Sequence, residues 1–424
     1  MRGPMRAGDS ESAIAIGPIE RRSFRQRIET AAVHRWLSSW RVGTLTVELP
    51  DRSTWTFGDV HSSRRATLSV RDWRFFSRVV AHSDVGLGES YMAGEWRCDD
   101  LVGFLRLLLV HRSIARRAGV LSWIARLAPS ARRHRSPRSP AHAREDVRAH
   151  YDLGNEFFAL FLDEGMTYST GIFATPATTL AEAQHEKLDG ICRRLALAPG
   201  LNVLDIGGGW GSFAIHAATV YGCRVRSITL SAAQQALARE RVRAAGLEAL
   251  VDVHLCDYRE VEGRFDRIVS IEMLEAIGFE QWRSFFRACD QLLAADGRMF
   301  LQTSTYPDGD FDAYRTGVDW IRTHVFPGGL LASLREIRAV LEHETALRLA
   351  SLEHVGRHYV ETLRCWRERY LQNLPPIRRL GFDGPFRRKW HLYLAMCEAA
   401  FAVGRLDTLQ LVLDRTGTPL ATSS

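Results

Sequence analysis

Apolar residues in the second half of the chain come in short runs rather than long stripes. NVLDI at 202–206, VRSITL at 225–230, VDVHL at 251–255 and DRIVSI at 266–271 are each five or six residues long. A loop and then a helical pattern follow each of them. This alternation predicts strands and crossover helices, hence an α/β fold with a parallel, doubly wound sheet. The first part reads differently. Thr44–Phe57 (TLTVELPDRSTWTF) alternates apolar and polar positions around a PDRS turn, which predicts a hairpin, and Leu101–Leu127 reads as helical. The pattern divides the chain into a small N-terminal α+β domain over 1–127, a linker rich in Arg, Ser and Pro over 128–141, and the α/β domain over 142–424. No internal repeat is present.

Composition narrows the class. With 46% hydrophobic and 25% charged residues over 424 positions, the chain is an ordinary globular protein, not a disordered, collagenous or disulfide-framed one. The most apolar run, LVGFLRLLLV at 101–110, is too short to span a bilayer and contains Arg106. The opening MRGPMRAGDSES has no apolar core of a signal peptide, and the seven cysteines form no C-x-x-C pair. These features predict reduced thiols and a cytoplasmic setting, with no metal site. Charge is uneven: residues 1–150 hold 26 basic against 15 acidic residues, whereas the remainder holds 30 against 34. The basic half predicts attraction to a polyanion, either a phospholipid surface or a nucleic acid. No aromatic platform or recognisable motif accompanies the arginines, which argues against nucleic acid.

The chemistry concentrates at strand ends. Val203–Gly211 (VLDIGGGWG) is a strand running into a glycine loop ahead of a helix. Gly207 and Gly209 let the backbone turn and approach a ligand without a Cβ in the way. Ser212 breaks the G-x-G-x-x-G dinucleotide pattern, and no Gly-Lys-Ser/Thr of a P-loop follows. Asp205 suits a ligand with an ammonium group, as in the amino-acid part of S-adenosylmethionine. The next strand ends at Thr229, and Ser231 with Gln234 reads as a capping box. The third ends at Asp257 and Tyr258, an acceptor for an adenine amino group beside an aromatic ring. Three strand ends meeting in one crevice is where such sheets bind ligands.

Several ordered motifs resemble the cyclopropane-fatty-acyl-phospholipid synthase family of S-adenosylmethionine-dependent methyltransferases. They are HYDLGNEFF (150–158), MTYSTGIF (166–173), VLDIGGGWG, IEMLEAIG (271–278), VFPGG (325–329) and HYVETLRCW (358–366), with GLGESYMAGEW (86–96) as a weaker extension. The resemblance implies a class I methyltransferase, a Rossmann-like sheet with a smaller N-terminal domain. It also implies methyl transfer from S-adenosylmethionine to the cis double bond of an acyl chain in a phospholipid, giving a cyclopropane. Tyr168 and Ser169 fall at the entry to the cofactor pocket, alongside Asp205, Gly207, Gly209, Thr229, Gln234, Asp257 and Tyr258. The resemblance further implies a bicarbonate ion that takes up a proton, with Glu275 and Tyr359 matching two of its ligands. Gln302 stands where a histidine is usual and Thr170 where a cysteine is usual. Trp210, Tyr168, Phe173 and Tyr359 are candidates for an aromatic wall around a carbocation.

The departures at Gln302 and Thr170 leave alternative products open. One alternative is an exocyclic methylene, and later reduction of it gives a methyl branch. A further alternative, methylation of a small soluble metabolite, predicts no need for lipid and no role for the basic N-terminal domain. The implied partners are an unsaturated phospholipid, met peripherally at the inner membrane surface, and a second copy of the chain; nucleic acid is not among them. His354 and His358, four apart beside Glu353, look superficially metal-like, but no convincing third ligand accompanies them.

Overall fold

The computed structural model describes residues 22–117 and 153–415. The predicted linker, 128–141, therefore lies outside the described residues. The predicted hairpin is present. β1 (Thr44–Glu48) pairs antiparallel with β2 (Thr54–Gly58), Thr44 facing Gly58, and β3 (Arg65–Val70) and β4 (Trp96–Cys98) complete a sheet of order β2-β1-β3-β4. Helices Phe24–Leu37, Arg74–Met92 and Leu101–Arg117 pack with it, and the second is kinked at Ser83.

All four predicted strands of the second part form: β5 (Asn202–Ile206), β6 (Arg224–Thr229), β7 (Val251–Leu255) and β8 (Phe265–Ile271). Together with β9 (Leu293–Thr305), β10 (Arg348–His354) and β11 (Asp407–Asp414) they make a seven-stranded sheet of order β10-β11-β9-β8-β5-β6-β7. β5 lies between β6 and β8, all parallel, while β11 runs antiparallel to both of its neighbours. The chain leaves β5 toward β6 on one side and returns to β8 on the other. The crevice at the carboxyl ends of β5 and β8 is thus the switch point of the sheet.

Among the described residues the N-terminal unit does not have a core of its own. One apolar cluster runs from Trp40, Trp96 and Phe104 to Trp320, Trp366 and Trp390. Gly88 shows how close the approach is: a Cβ there would lie 2.2 Å from the Trp320 ring. Polar ties reinforce the contact. The Tyr91 hydroxyl bonds His391 Nδ1 at 3.0 Å, and Arg388 Nε donates to the Met92 carbonyl at 2.8 Å. Among the described residues no helix is long and apolar enough to cross a membrane.

Candidate active site

Two cavities meet at the switch point. The first lies over the glycine loop, and its walls include all nine residues expected to hold the cofactor, from Tyr168 and Ser169 to Asp257 and Tyr258. The loop fits a ligand laid across backbone. Gly207 (φ +81°) and Gly209 (φ +56°) take left-handed conformations, and a Cβ at Gly209 would point into open space. Gly208 is tighter still: a Cβ there would lie 1.9 Å from Ser227 Oγ and 2.4 Å from Asp205 Oδ2. Asp205 is buried and accepts from Ser227 Oγ at 2.9 Å, with no cationic side chain paired to it among the described residues. Burial pushes its carboxyl up to about 7. A buried carboxylate lacking a counter-ion, beside open backbone, fits the ammonium end of S-adenosylmethionine.

Two sequence expectations at this cavity change. Ser231 and Gln234 form only half of a capping box. Ser231 Oγ accepts from Gln234 N–H, but Gln234 Oε1 accepts from Thr229 Oγ1 at 2.6 Å instead of turning back to Ser231. Asp257, placed for an adenine amino group, is already held by Arg259 through Nε at 2.8 Å and Nη2 at 2.7 Å.

The second cavity, about 860 Å³, is mainly apolar. Leu87, Leu105, Leu108 and Leu109 reach it from the N-terminal helices, and Tyr393, Met396 and Phe401 from helix Gly384–Ala402. Tyr168, Glu272 and Ala276 line both cavities. Of the expected aromatic wall, Trp210 faces the first cavity, Tyr359 the second and Tyr168 both, while Phe173 lines neither. Phe157, Phe158 and Phe161 are buried in the aromatic core.

Three of the four expected catalytic residues converge on a carboxylate that sequence reasoning did not single out. Tyr359 OH donates to Glu272 Oε2 at 2.7 Å, and Gln302 Nε2 donates to Glu272 Oε1 at 2.8 Å. The backbone N–H of Thr170 donates to Oε1 at 3.1 Å. The Thr170 hydroxyl turns away, to Gly171 O, and neither Thr170 nor Gln302 lines a cavity. Glu275 lines the second cavity; one of its oxygens accepts from Ser304 N–H, and the other has no partner among the described residues. Burial and the neighbouring Glu272 push Glu275 up to about 8, so it is protonated at neutral pH. Burial also raises Glu272, but Tyr359, Gln302, Thr170 N–H and the nearby Lys187 oppose that rise. Lys187 is itself fully buried, bonded to Ser169 Oγ, and lowered to about 8 by desolvation. The signal available in sequence was the doubled carboxylate of IEMLEAIG, at the end of a strand.

Bicarbonate does not fit this arrangement. Tyr359, Gln302 and Thr170 N–H already serve Glu272, and a further anion would sit against two carboxyl groups. His354 pairs with Asp407 at 2.5 Å, and His358 Nδ1 accepts from Phe173 N–H. Among the described residues no group of His, Cys, Asp and Glu forms a metal cluster.

Residues 138–411 match the mycolic acid cyclopropane synthetase family. The chain is 43% identical over 355 residues to the tuberculostearic acid methyltransferase of Mycobacterium tuberculosis, covering 81% of each chain. It is 35% identical over 362 residues to the cyclopropane-fatty-acyl-phospholipid synthase of Escherichia coli, covering 84% of this chain and 90% of that one. A solved structure of the mycolic acid cyclopropane synthase CmaA1, complexed with SAH and CTAB, aligns with a TM-score of 0.60 and 31% identity, over 64% of this chain and 97% of that one.

Proposed function

The chain belongs to the mycolic acid cyclopropane synthetase family and is an S-adenosylmethionine-dependent methyltransferase whose relatives modify lipids; from that premise we propose that it methylates the cis double bond of an unsaturated acyl chain carried by a phospholipid. The observation that carries this reading is the meeting of a polar, glycine-floored cavity with a large apolar one at Tyr168, Glu272 and Ala276. S-adenosylmethionine, when bound, supplies an electrophilic methyl group. The protein's own part is to bring the two ligands together and to shield the cation that forms. An alkene needs no activated side chain to attack. Once its π electrons form the new carbon–carbon bond, the other alkene carbon carries positive charge. Tyr168 and Tyr359 line the cavity and offer aromatic rings to that charge. Phe401, stacked on Tyr359 at 4.6 Å, continues the same wall.

Loss of one proton then completes the product. The resemblance implies ring closure to a cyclopropane. The higher identity to the tuberculostearic acid methyltransferase favours the second reading, an exocyclic methylene that a separate reductase converts to a methyl branch. The two products are isomers of equal mass. The test is therefore incorporation of labelled methyl carbon into monounsaturated phospholipid, followed by NMR of the new carbon skeleton. Label appearing only in small soluble acceptors would overturn the lipid reading.

The N-terminal unit is assigned a lipid-facing role at the membrane surface. Its helices wall the apolar cavity, and Phe24 and Ile28, one turn apart on helix Phe24–Leu37, are 79% and 56% exposed beside Arg25 and Arg27. This is the composition of a surface that rests on anionic lipid. Binding to anionic vesicles that ignored both lipid charge and ionic strength would contradict it.

A further inference from the structure

We propose that Glu272 is the base that takes the proton released after methyl transfer, so that the protein carries its own acceptor in place of an external bicarbonate ion. This rests on the reading of methyl transfer to an alkene given above. Glu272 follows β8 at the switch point and lines both cavities, where the new methyl group must lie. Tyr359 OH, Gln302 Nε2 and Thr170 N–H all converge on this one side chain. Oε1 receives two of them and Oε2 only one, which leaves Oε2 an open lone pair.

Glu272 has φ +51°, in the region that favours glycine. A side chain kept at such a position, against its conformational preference, is held there by what the side chain does. Electrostatics are consistent with the assignment. Lys187 lies near enough to favour the Glu272 anion, while Glu275 is the member of the pair that keeps its proton.

The step balances without a further reactant. The alkene π pair forms the bond to the incoming methyl carbon as the sulfur–carbon bond breaks and its electron pair stays on sulfur. A proton then leaves that methyl carbon for Glu272 Oε2. The C–H pair closes the ring onto the cationic carbon. Alternatively, after a hydride shift between the two former alkene carbons, it forms the exocyclic double bond.

The test uses the purified full chain with vesicles of cis-monounsaturated phosphatidylglycerol and methyl-labelled S-adenosylmethionine, in buffer with and without bicarbonate. Wild-type turnover should be the same in both. Glu272→Gln should lose about 100-fold or more, the scale of a lost general base, with calorimetric affinity for S-adenosylmethionine retained. Glu272→Gly suits the φ of that residue and opens the space among the three donors. It should be as slow, yet regain activity on adding bicarbonate or formate, and bind 13C-bicarbonate by NMR where the wild type does not. Wild-type turnover that collapses without bicarbonate, or a fully active Glu272→Gln, would overturn the proposal and leave the alkene reading standing. A wild type that labels no unsaturated phospholipid in either buffer would overturn both.

Discussion

Gln410 stands directly opposite Gln302 in the β9–β11 ladder, and its Nε2 donates to Gln302 Oε1 at 2.7 Å. That bond turns the Gln302 amino group toward Glu272. The position one residue after β8 is thereby tied, through two amides, to the far side of the sheet. The backbone repeats the link, since Glu272 N–H donates to the Gln302 carbonyl at 2.7 Å. Gln302 is thus a positioning residue that acts through Glu272.

Gln302→Leu should expose the consequence. It strands a buried Gln410 amino group and removes one donor from a buried carboxylate. The expected cost is about 2 kcal/mol of stability in urea unfolding, since each orphaned buried group costs roughly 1–3 kcal/mol. Turnover should fall while calorimetric affinity for S-adenosylmethionine stays near that of the wild type. Gln302→His offers one ring nitrogen as donor and one as acceptor, so it should keep more of the turnover and gain no dependence on bicarbonate.

Glu275 and Glu272 should respond differently to the same substitution. Glu275 is neutral at pH 7 because burial and Glu272 push it up to about 8. Glutamine is close to an isostere of the neutral acid. Glu275→Gln is therefore expected to lose about fivefold or less at pH 7, against 100-fold or more for Glu272→Gln. Above pH 8 the wild type should slow as Glu275 ionises beside Glu272, and Glu275→Gln should lack that alkaline limb. Steady-state rates of both variants from pH 6.5 to 9 check this; equal losses at pH 7 would count against the division of roles.

Gly208→Ala is a small change with a large expected effect. Its Cβ would lie 1.9 Å from Ser227 Oγ and 2.4 Å from Asp205 Oδ2, so the carboxylate must move. Loss of an aligned buried charge should weaken S-adenosylmethionine binding by about tenfold or more. Gly207→Val acts through the backbone instead, because φ +81° excludes a β-branched residue, and it should abolish binding. Calorimetry of both variants, alongside melting temperatures, separates lost affinity from lost fold.

Asp205 also sets a pH dependence. Its value of about 7 lies above the ordinary 3.8 because the ionised form is desolvated. In the ligand-free protein the neutral form therefore contributes stability that is complete below about pH 4 and lost as pH rises through 7. Binding an ammonium group needs the ionised form. Affinity should fall about tenfold per pH unit below 7 and level off above it, until the ligand's own amino group loses its proton near 8. Calorimetry from pH 5.5 to 8 should show this acid limb in the wild type and its absence in Asp205→Asn.

Local signals were legible in the chain, and convergent ones were not. Strands β5 to β8, the hairpin and the glycine loop follow from short apolar runs and turn residues, which depend only on neighbours in sequence. The expected cofactor residues at and after the ends of β5, β6 and β7 line one cavity because strand ends of a doubly wound sheet meet at its switch point, and the loop of Tyr168 and Ser169 closes it. Glu272 was not singled out because what marks it is tertiary. Its donors come from residues 170, 302 and 359, far apart in sequence. The capture of Asp257 by Arg259 and the merging of the N-terminal core with helix Gly384–Ala402 likewise depend on side-chain directions that periodicity does not encode.

The N-terminal unit offers a final test of what the large cavity holds. Leu108 lies on helix Leu101–Arg117 and reaches the cavity wall from that unit. Leu108→Trp adds bulk there without altering the glycine loop or Glu272. If the cavity holds an acyl chain, the added ring shortens the room beyond the double bond. The variant should then keep its affinity for S-adenosylmethionine and lose activity on long acyl chains more than on short ones, by about 1–3 kcal/mol in kcat/KM, the scale of overpacking an apolar site. Competition between phospholipids whose monounsaturated chains differ by two carbons measures the ratio directly. An equal loss on both chains would mean that the ring disturbs the fold and not the chain's path. An unchanged ratio with full activity would move the acyl chain out of this cavity and, with it, the lipid-facing role of the N-terminal unit.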